Sequence, residues 1–402
     1  MAPAVSAVQD PTTLWHAENV SIGDVLTALD GIRRRFAHQE ADEGEHPHPR
    51  NCVMTLISVA PTELHEQTAK RTTQMIGTEH PSQAIVIREQ PPAQGRHLDA
   101  WITTDPDRPK AACGYECEFI TLHVYGEAVE HLAPLLDPLL VSGVPTYLWW
   151  LGTPPFGKSE ILDALHVCDG LVVDSAQFRD PYHSFHRMSD MLKLTHHRMG
   201  LADLQWSRLR PWREMIAQFF SPSDRRAFLA GISEVGVDYA GEGRGNRIVA
   251  SLLTGWMASA LGWKLRRATG GTGGVVVALY SAGDRSVEVE FRSVPKEGLV
   301  QGELSAVRIA GVSHGTTYRL GIHHNPERAR ASEFDFPERR RQDTGRVLLT
   351  MIEIGEGDPL RHIQQLEGLD EVSLLLDLLS TGTHDEVFNR SLAAAEDLME
   401  NF

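Results

Sequence analysis

The chain has 402 residues, 42% of them hydrophobic and 23% charged, which is the composition of an ordinary globular protein with two or three domains. Its 38 basic and 54 acidic residues give a net charge of −16, which argues against nucleic acid or an anionic membrane as a partner. The N-terminal residues lack the basic and apolar segments of a signal peptide, and no later apolar run is long enough to span a membrane. We therefore expect a cytoplasmic protein.

The N-terminal half is predicted to be an α/β domain. An amphipathic helix over 15–38 and an acidic, proline-broken loop over 41–50 make up an N-terminal segment, residues 1–50. Short apolar runs then alternate with helical patterns, which is typical of a mostly parallel sheet over 51–200, with an antiparallel hairpin near 98–125. The strands are predicted over 53–59, 84–88, 98–103, 119–125, 145–151 and 170–174, and the helices over 61–76, 128–140 and 160–165.

The second half is predicted to begin with helices and to end in a sheet. Residues 182–265 are predicted to be helical, and we assign 201–269 to a helical segment packed on the α/β domain. The glycine-rich end of 264–274 predicts a linker. The remainder, 270–402, is predicted to be an α+β domain with an antiparallel sheet and two closing helices. Its strands are expected over 275–280, 287–291, 298–309, 316–322 and 346–354, and its helices over 359–366 and 384–399.

One segment matches a phosphate-binding pattern. Gly152-Thr-Pro-Pro-Phe-Gly-Lys-Ser159 fits G-x-x-x-x-G-K-[ST] between a predicted strand and a predicted helix. In such a site the lysine reaches the phosphates, and the serine and a strand-end acid support magnesium. The residues concerned are Gly152, Gly157, Lys158, Ser159 and Asp174. Pro154 and Pro155 argue against the site because each removes an amide donor. A nucleotide-binding enzyme or sensor is therefore the alternative function.

A weaker candidate is an anion site before a predicted helix, in Gly241-Glu-Gly-Arg-Gly-Asn-Arg247. Asn246 is predicted to cap that helix, and the free amides with Arg244 and Arg247 suit an anion. A plain helix cap explains the same residues, so both interpretations stay open.

The four cysteines are too few for a disulfide scaffold. Cys52 and Cys168 lie in apolar runs and are predicted to be small core residues. Cys113 and Cys117 are separated by three residues, and no second pair completes a four-ligand metal site. We therefore predict neither a metal nor a cofactor, and redox control by this pair stays open.

The most distinctive residues of the chain are tryptophans. Six of the eight lie in three short blocks, 144–150, 203–214 and 255–263. The middle block places arginines beside two indoles, a mixture that is typical of protein interfaces and unlike a catalytic set. We predict that it contributes to partner binding, with the tryptophans mainly structural. The candidate residues are Trp206, Arg208, Trp212 and Arg213.

These blocks bring out a resemblance to the OpcA family, the glucose-6-phosphate dehydrogenase assembly proteins. The matching stretches follow the family's order between about residues 50 and 265. They are His80-Pro-Ser82, Cys117–Gly126 with His131, Leu139–Trp150, Asp174-Ser175 with Phe178, Asp203–Arg213, and Gly255-Trp256 with Leu261–Trp263. One departure is Gln83 after His-Pro-Ser, where the resemblance leads us to expect arginine.

The resemblance implies a non-catalytic assembly factor and allosteric activator of glucose-6-phosphate dehydrogenase, at the entry to the oxidative pentose phosphate pathway. It implies the dehydrogenase as partner. The residues by themselves favour the same class, because a soluble, acidic chain with aromatic blocks and no convincing catalytic set is typical of an interaction subunit.

Overall fold

A computed structural model of the chain describes residues 13–42, 52–90, 97–104, 119–194, 199–241, 246–270, 274–295, 298–324 and 347–401. They divide into two compact units. The first contains residues 1–179, 190–203 and 375–384, and the second contains 180–189, 204–374 and 385–402. No helix in the described ranges combines the length and the apolar character that crossing a membrane requires.

The first unit is built on an eight-stranded sheet. In chain order its elements are β1 (Thr13–Ala17), α1 (Ile22–Asp42), β2 (Met54–Ala60), α2 (Glu63–Glu79), β3 (Ser82–Glu89), β4 (His97–Thr103), β5 (Phe119–Tyr125), α3 (Ala133–Leu136), β6 (Thr146–Trp150), α4 (Ser159–Leu165), β7 (Gly170–Val173), α5 (Pro181–Leu194) and β8 (Gly200–Asp203). Helix α5 is divided between the units after Ser189.

The strands of this sheet are ordered β1-β4-β5-β3-β2-β6-β7-β8. Strands β5, β3, β2, β6, β7 and β8 are parallel, whereas β4 pairs antiparallel with both β5 and β1. Every residue of β2 and β6 is buried, as expected for central strands that are covered on both faces. The first parallel strand lies at the centre, and the chain builds outward to both sides of it, which is the doubly wound arrangement. The predicted parallel sheet with its antiparallel hairpin is confirmed.

Strands β7 and β8 begin with glycines because a buried threonine occupies the space beside them. A Cβ on Gly170 or on Gly200 would fall well inside contact distance of Oγ1 of Thr383. Thr383 is buried, so its side chain has little room to move away. Glycine is required at both positions because a side chain there would collide with Thr383.

The second unit is built on another eight-stranded sheet. Its elements are α6 (Leu204–Arg208), α7 (Arg210–Phe220), β9 (Ile232–Ala240), α8 (Ile248–Leu261), β10 (Lys264–Gly270), β11 (Val276–Ala282), β12 (Arg285–Val294), β13 (Leu304–Ser313), β14 (Thr316–His324), β15 (Val347–Ile354), β16 (Leu360–Gln365), α9 (Glu371–Thr381) and α10 (Glu386–Glu400). The first part of α5 also belongs here, and α9 is divided between the units.

The strands of the second sheet are ordered β10-β11-β12-β9-β13-β14-β15-β16, and all pairs are antiparallel except β9 with β12. Alternate residues such as Val235, Val237 and Tyr239 are buried on one face. Helices α8 and α10 pack closely together, because Gly255 lies where a Cβ would collide with the backbone oxygen of Ser391. The predicted C-terminal antiparallel sheet with helices is confirmed.

Several predicted elements were wrong. The helical stretch 182–265 was predicted without strands, but β8 and β9 lie in it, between the helices predicted over 181–197, 211–220 and 247–261. Strand β10 occupies residues 264–270 of the predicted linker. Residues 271–273 of that linker lie outside the described ranges. Strand β9 runs at the centre of its sheet, between β12 and β13, so pairing on both sides determines its conformation.

Two further corrections concern helices. The predicted helix 359–366 is the edge strand β16, which forms hydrogen bonds to β15, and the following helix α9 was not predicted. The predicted helix 128–140 is broken into short pieces, of which α3 has a proline at its start. Another proline begins the 3₁₀ turn Asp137–Leu139. Proline removes the amide donor that a continuous helix would need at that point.

Candidate functional site

The tryptophan–arginine block forms a packed joint within the second unit. Trp206 is 5% exposed, and its Nε1 donates a hydrogen bond to Oδ2 of Asp385 at 2.8 Å. The other oxygen of Asp385 accepts the amides of Val387 and Phe388 and so caps helix α10. The indole also lies 5.6 Å from the ring of Phe388. Trp206 therefore fixes the start of α10.

The arginines of this block differ in exposure. The guanidinium of Arg213 lies 3.5 Å from the centre of the Trp206 ring, and its Nη2 donates to the backbone oxygen of Trp206 at 3.3 Å. Burial lowers the pKa of Arg213 to about 10, against the opposing attraction of Asp385. Arg208 is half-buried, whereas Arg210 is exposed and pairs with a glutamate one turn later.

Trp212 lies on the buried face of helix α7 and is 6% exposed. Proline at the second position of α7 is compatible with a helix start. The two indoles therefore have the burial of core residues. Arg208 and Arg213 are half-buried, and Arg210 is exposed.

In the segment that matches the phosphate-binding pattern, three backbone amides donate hydrogen bonds within the protein. The amide of Phe156 donates to the oxygen of Pro154 at 2.8 Å, and that of Lys158 donates to the oxygen of Pro155 at 3.1 Å. The amide of Gly152 donates to the side chain of Gln177 at 3.2 Å. The two prolines have no amide hydrogen to offer. Three of the amides that could face a phosphate are therefore bonded within the protein.

The other residues of the pattern do not converge on a ligand either. Gly152 and Gly157 have positive φ angles of 74° and 80°, which shape the turn. The side chain of Lys158 is 68% exposed and lies 3.9 Å from Glu160, while Ser159 begins a helix of only seven residues. Asp174 is buried and accepts the amide of Ala176 at 3.2 Å, so it caps a 3₁₀ turn. The nucleotide alternative is not favoured.

A doubly wound sheet binds dinucleotides beyond the carboxyl ends of its central strands, here β2 and β6. The turn after β2 is Ala60-Pro-Thr-Glu63, which lacks the glycines that let a backbone approach a pyrophosphate. Thr62 caps α2 by accepting the amide of His65. The ring of His65 lies over the turn after β6, where a Cβ at Gly152 would be 3.3 Å from its Cε1. In this crevice, an imidazole occupies space close to where a dinucleotide phosphate would enter.

Beside this crevice lies a polar cluster that the sequence did not predict. Glu66 of α2 accepts hydrogen bonds from Lys70 at 2.6 Å and pairs with His123 of β5 at 3.2 Å. Burial would raise the pKa of Glu66, but the hydrogen bonds from His123 and Lys70 outweigh it and hold the pKa at about 2. For His65, burial and then the positive charges of Arg88 and Arg179 lower the pKa.

The candidate anion residues are in part structural. The side chain of Asn246 accepts the amide of Ile248 at 3.0 Å at the start of α8. Arg247 is buried, and its Nε donates to the hydroxyl of Tyr182 at 3.1 Å. Arg244 lies outside the described residues.

Among the cysteines, Cys113 and Cys117 also lie outside the described residues. Cys168 is half-buried, and burial followed by the nearby Asp169 raises its pKa to about 12.

The face of the second sheet opposite its buried residues carries charged side chains and a cavity of 490 Å³. We call it the open sheet face. The residues that line the cavity are Glu234, Val235, Gly236, Glu288, Glu290, Arg308, Ile309, Ala310, Arg319, Leu320, Gly321, His323, Met351 and Glu353. On the same face, Arg308 donates to Asp238 at 2.5 and 2.8 Å, and Arg292 donates to Asp238 at 3.0 Å.

Two like charges face each other across neighbouring strands of the open sheet face. Glu288 of β12 pairs in register with Glu234 of β9, and both side chains are exposed. Like charges in adjacent positions destabilise a sheet. A basic partner surface would relieve that repulsion. The alternation of charged and apolar residues in β12 was a sequence signal for such a face, but its neighbour β9 was not predicted to be a strand.

Known proteins resemble this chain in sequence. A protein named OpcA, of the OxPP cycle, from Nostoc punctiforme is 32% identical over 49% of this chain and 42% of its own length. OpcA from Synechococcus elongatus is 33% identical over 48% of this chain and 43% of its own. OpcA from Synechocystis is 28% identical over 69% of this chain and 54% of its own. The matches thus span about half the length of these relatives.

Solved structures resemble it only distantly. The oxidoreductase yvaA from Bacillus subtilis has 11% identity and a TM-score of 0.44 over 87% of this chain and 96% of its own. The dehydrogenase MviM from Clostridium difficile has 9% identity and a TM-score of 0.42 over 86% and 97%. Scores this low support no conclusion about function.

Two domain families match most of the chain. The glucose-6-phosphate dehydrogenase subunit N-terminal domain matches residues 73–190, and the corresponding C-terminal domain matches residues 199–392. Together with the sequence relatives, these matches show that the chain belongs to the OpcA family, whose domains are those of a glucose-6-phosphate dehydrogenase subunit.

Proposed function

We propose that this chain is a non-catalytic assembly factor and allosteric activator of glucose-6-phosphate dehydrogenase in the cytoplasm. The observation that carries the proposal is the match of both dehydrogenase-subunit domains, in order, over residues 73–190 and 199–392. The naming of three relatives after the OxPP cycle supports the same pathway.

The geometry of the first unit supports a role without catalysis. The doubly wound sheet offers a crevice of the kind that holds a dinucleotide, but the turn after β2 has no glycine and His65 packs over Gly152. In the segment 152–159, the amides of Phe156 and Lys158 donate within the turn. We infer that binding of the dehydrogenase depends on neither a nucleotide nor another cofactor.

Two surfaces of the second unit are candidates for the contact with the dehydrogenase. The first is the accessible edge of the tryptophan–arginine block, where Arg208 is half-buried and Arg210 exposed. There we propose that Arg208 and Arg213 face acidic groups of the partner and that Trp206 and Trp212 hold them in place. The second is the open sheet face, where Glu234 and Glu288 would meet basic groups.

The experiment is reconstitution with the dehydrogenase of the same organism. The purified chain is mixed with the enzyme, and reduction of NADP by glucose 6-phosphate is measured with the chain alone, the enzyme alone and both. Light scattering after gel filtration gives the oligomeric state. We expect no activity of the chain alone, a stable complex, and a faster or more highly assembled enzyme. A chain that neither binds the enzyme nor changes its rate or assembly would falsify the proposal.

A further inference from the structure

Three potential metal ligands meet between two helices of the second unit. His186 lies in the first part of α5, and Glu396 and Glu400 lie on α10. Their ligand atoms are all within 4.8 Å of one another. Nδ1 of His186 is 2.8 Å from Oε1 of Glu396 and 3.4 Å from Oε1 of Glu400. One imidazole nitrogen therefore faces two carboxylates.

The sequence brings the two glutamates to one face of their helix. Residues four apart in a helix are one turn apart and adjacent on its surface. A neighbouring residue then orients the buried glutamate, because Oγ of Ser189, on the next turn of α5, donates to Oε2 of Glu396 at 2.5 Å. That bond leaves Oε1 directed toward His186. Proteins commonly hold metal-binding carboxylates in position by hydrogen bonds of this kind.

The charges of the group are better matched by a divalent cation than by a proton. The side chain of Glu396 is only 6% exposed, and a buried carboxylate is strongly destabilising unless it is well paired. A protonated His186 offers a single hydrogen at Nδ1, which serves one of the two carboxylates. A dication at the same point would contact all three ligands and balance both negative charges.

We propose that His186, Glu396 and Glu400 bind a zinc ion through Nδ1 and one oxygen of each carboxylate. Ligands about 2.0–2.2 Å from zinc in a tetrahedron lie about 3.3–3.6 Å apart. The distance of 3.4 Å between His186 and Glu400 falls in that range, and the 2.8 Å between His186 and Glu396 is about half an ångström shorter. The imidazole favours zinc over magnesium or calcium. The side chains of His186 and Glu400 are 43% and 56% exposed, so water can reach the fourth position. The ion would fasten α5 to α10.

The test is a zinc titration of the full chain, prepared without a histidine tag and stripped with a chelator. Calorimetry gives the affinity and the number of equivalents, and the melting temperature is recorded with zinc, magnesium and calcium. Because Glu400 is exposed, Glu400→Gln should leave the fold intact. The matched control is Glu386→Gln, an exposed glutamate in the first turn of the same helix.

We expect one equivalent of zinc to bind and to raise the melting temperature, with magnesium and calcium far weaker. Glu400→Gln and His186→Gln should weaken that equivalent at least about tenfold, and Glu386→Gln should not change it. The proposal is overturned if the chain takes up no zinc. It is equally overturned if Glu400→Gln retains the full affinity, since the ion would then be held elsewhere, for example by cysteines.

Discussion

The guanidinium of Arg213 lies 3.5 Å above the indole ring of Trp206, whose own N–H is bonded to Asp385. This stack joins α6, α7 and the cap of α10 through three side chains. A cation over an indole face is stabilising, and more so when it is shielded from water. Arg213 is half-buried, so its main effect is expected on the stability of the second unit.

The first prediction separates stability from partner binding in this block. Arg213→Ala should lower the free energy of unfolding by about 1–2 kcal/mol, because the stacked cation and its bond to the Trp206 backbone are lost. Arg210→Ala, an exposed control, should change it by less than about 0.5 kcal/mol. Urea titration measures both. Affinity for the dehydrogenase is then measured for Arg208→Ala, alone and combined with Arg213→Ala. Normal affinity in a stable double variant would assign the block to scaffolding.

The second prediction follows from the low pKa of Glu66. Because the pKa of this carboxyl is lower in the folded chain, at about 2, than in the unfolded chain, the ionised form stabilises the fold at neutral pH. We expect Glu66→Gln to cost about 2 kcal/mol at pH 7, since bonds from Lys70 and His123 are weakened. The difference from wild type should shrink as the pH falls from about 5 to about 2, where the carboxylate takes up its proton. Urea titrations between those values test it, and a constant difference would contradict the assignment.

The third prediction compares two glycines in the first unit. Gly170→Ala should lower the free energy of unfolding by about 3 kcal/mol, because the new methyl meets the buried Thr383. Combining it with Thr383→Ala should recover part of the loss. Gly31→Ala has nothing within 4 Å and lies inside helix α1, so it should raise the free energy by about 0.5–1 kcal/mol. Similar effects at both positions would contradict the packing that the structure shows.

Local patterns predicted the first sheet well. Strand β5 was predicted with its observed ends, and the strands from β2 to β7 were found because each is a short apolar run between turn residues. The doubly wound order was not predictable in this way. It depends on which strands pair, and pairing is decided by the packing of helices such as α2 against the sheet.

Sequence patterns did not predict the features that depend on contacts between residues far apart in the chain. Strand β9 takes its extended conformation from pairing with strands on both sides, and β16 takes its conformation from pairing with β15. His186 and Glu396 are separated by most of the second half of the chain, so no spacing rule could bring them together. The phosphate-binding pattern failed in the opposite sense. The letters matched, but the carbonyl oxygens of Pro154 and Pro155 accept the amides of Phe156 and Lys158 within the turn.

The fourth prediction concerns Lys158. Lys158→Ala should leave both complex formation and activation of the dehydrogenase unchanged, because the lysine is exposed and the adjoining amides are already bonded. Equilibrium binding of ATP with magnesium to wild type and variant provides the second measurement. Micromolar binding that disappears in the variant would restore the nucleotide alternative.

The last prediction tests the open sheet face. Glu288 faces Glu234 across β12 and β9, so Glu288→Lys replaces a like-charge pair with an opposite-charge pair. The free energy of unfolding should rise by about 0.5 kcal/mol, the usual size of a cross-strand charge effect. If the repulsion is retained because this face meets basic groups of the dehydrogenase, the same substitution should weaken the complex. The weakening should be greatest at low salt, where charges are least screened.

The control for this substitution is Glu130→Lys, which makes the same charge change at an exposed position of the first unit. It corrects for the general effect of net charge on association, which the chain's excess of acidic residues makes substantial. A stabilised Glu288→Lys that binds as tightly as the control would place the contact elsewhere in the chain, and Arg208 would become the first position to examine. A variant that is not stabilised would show that Glu234 and Glu288 do not repel each other in solution. A gain in stability with a loss of affinity, absent from the control, is the result expected of a docking surface.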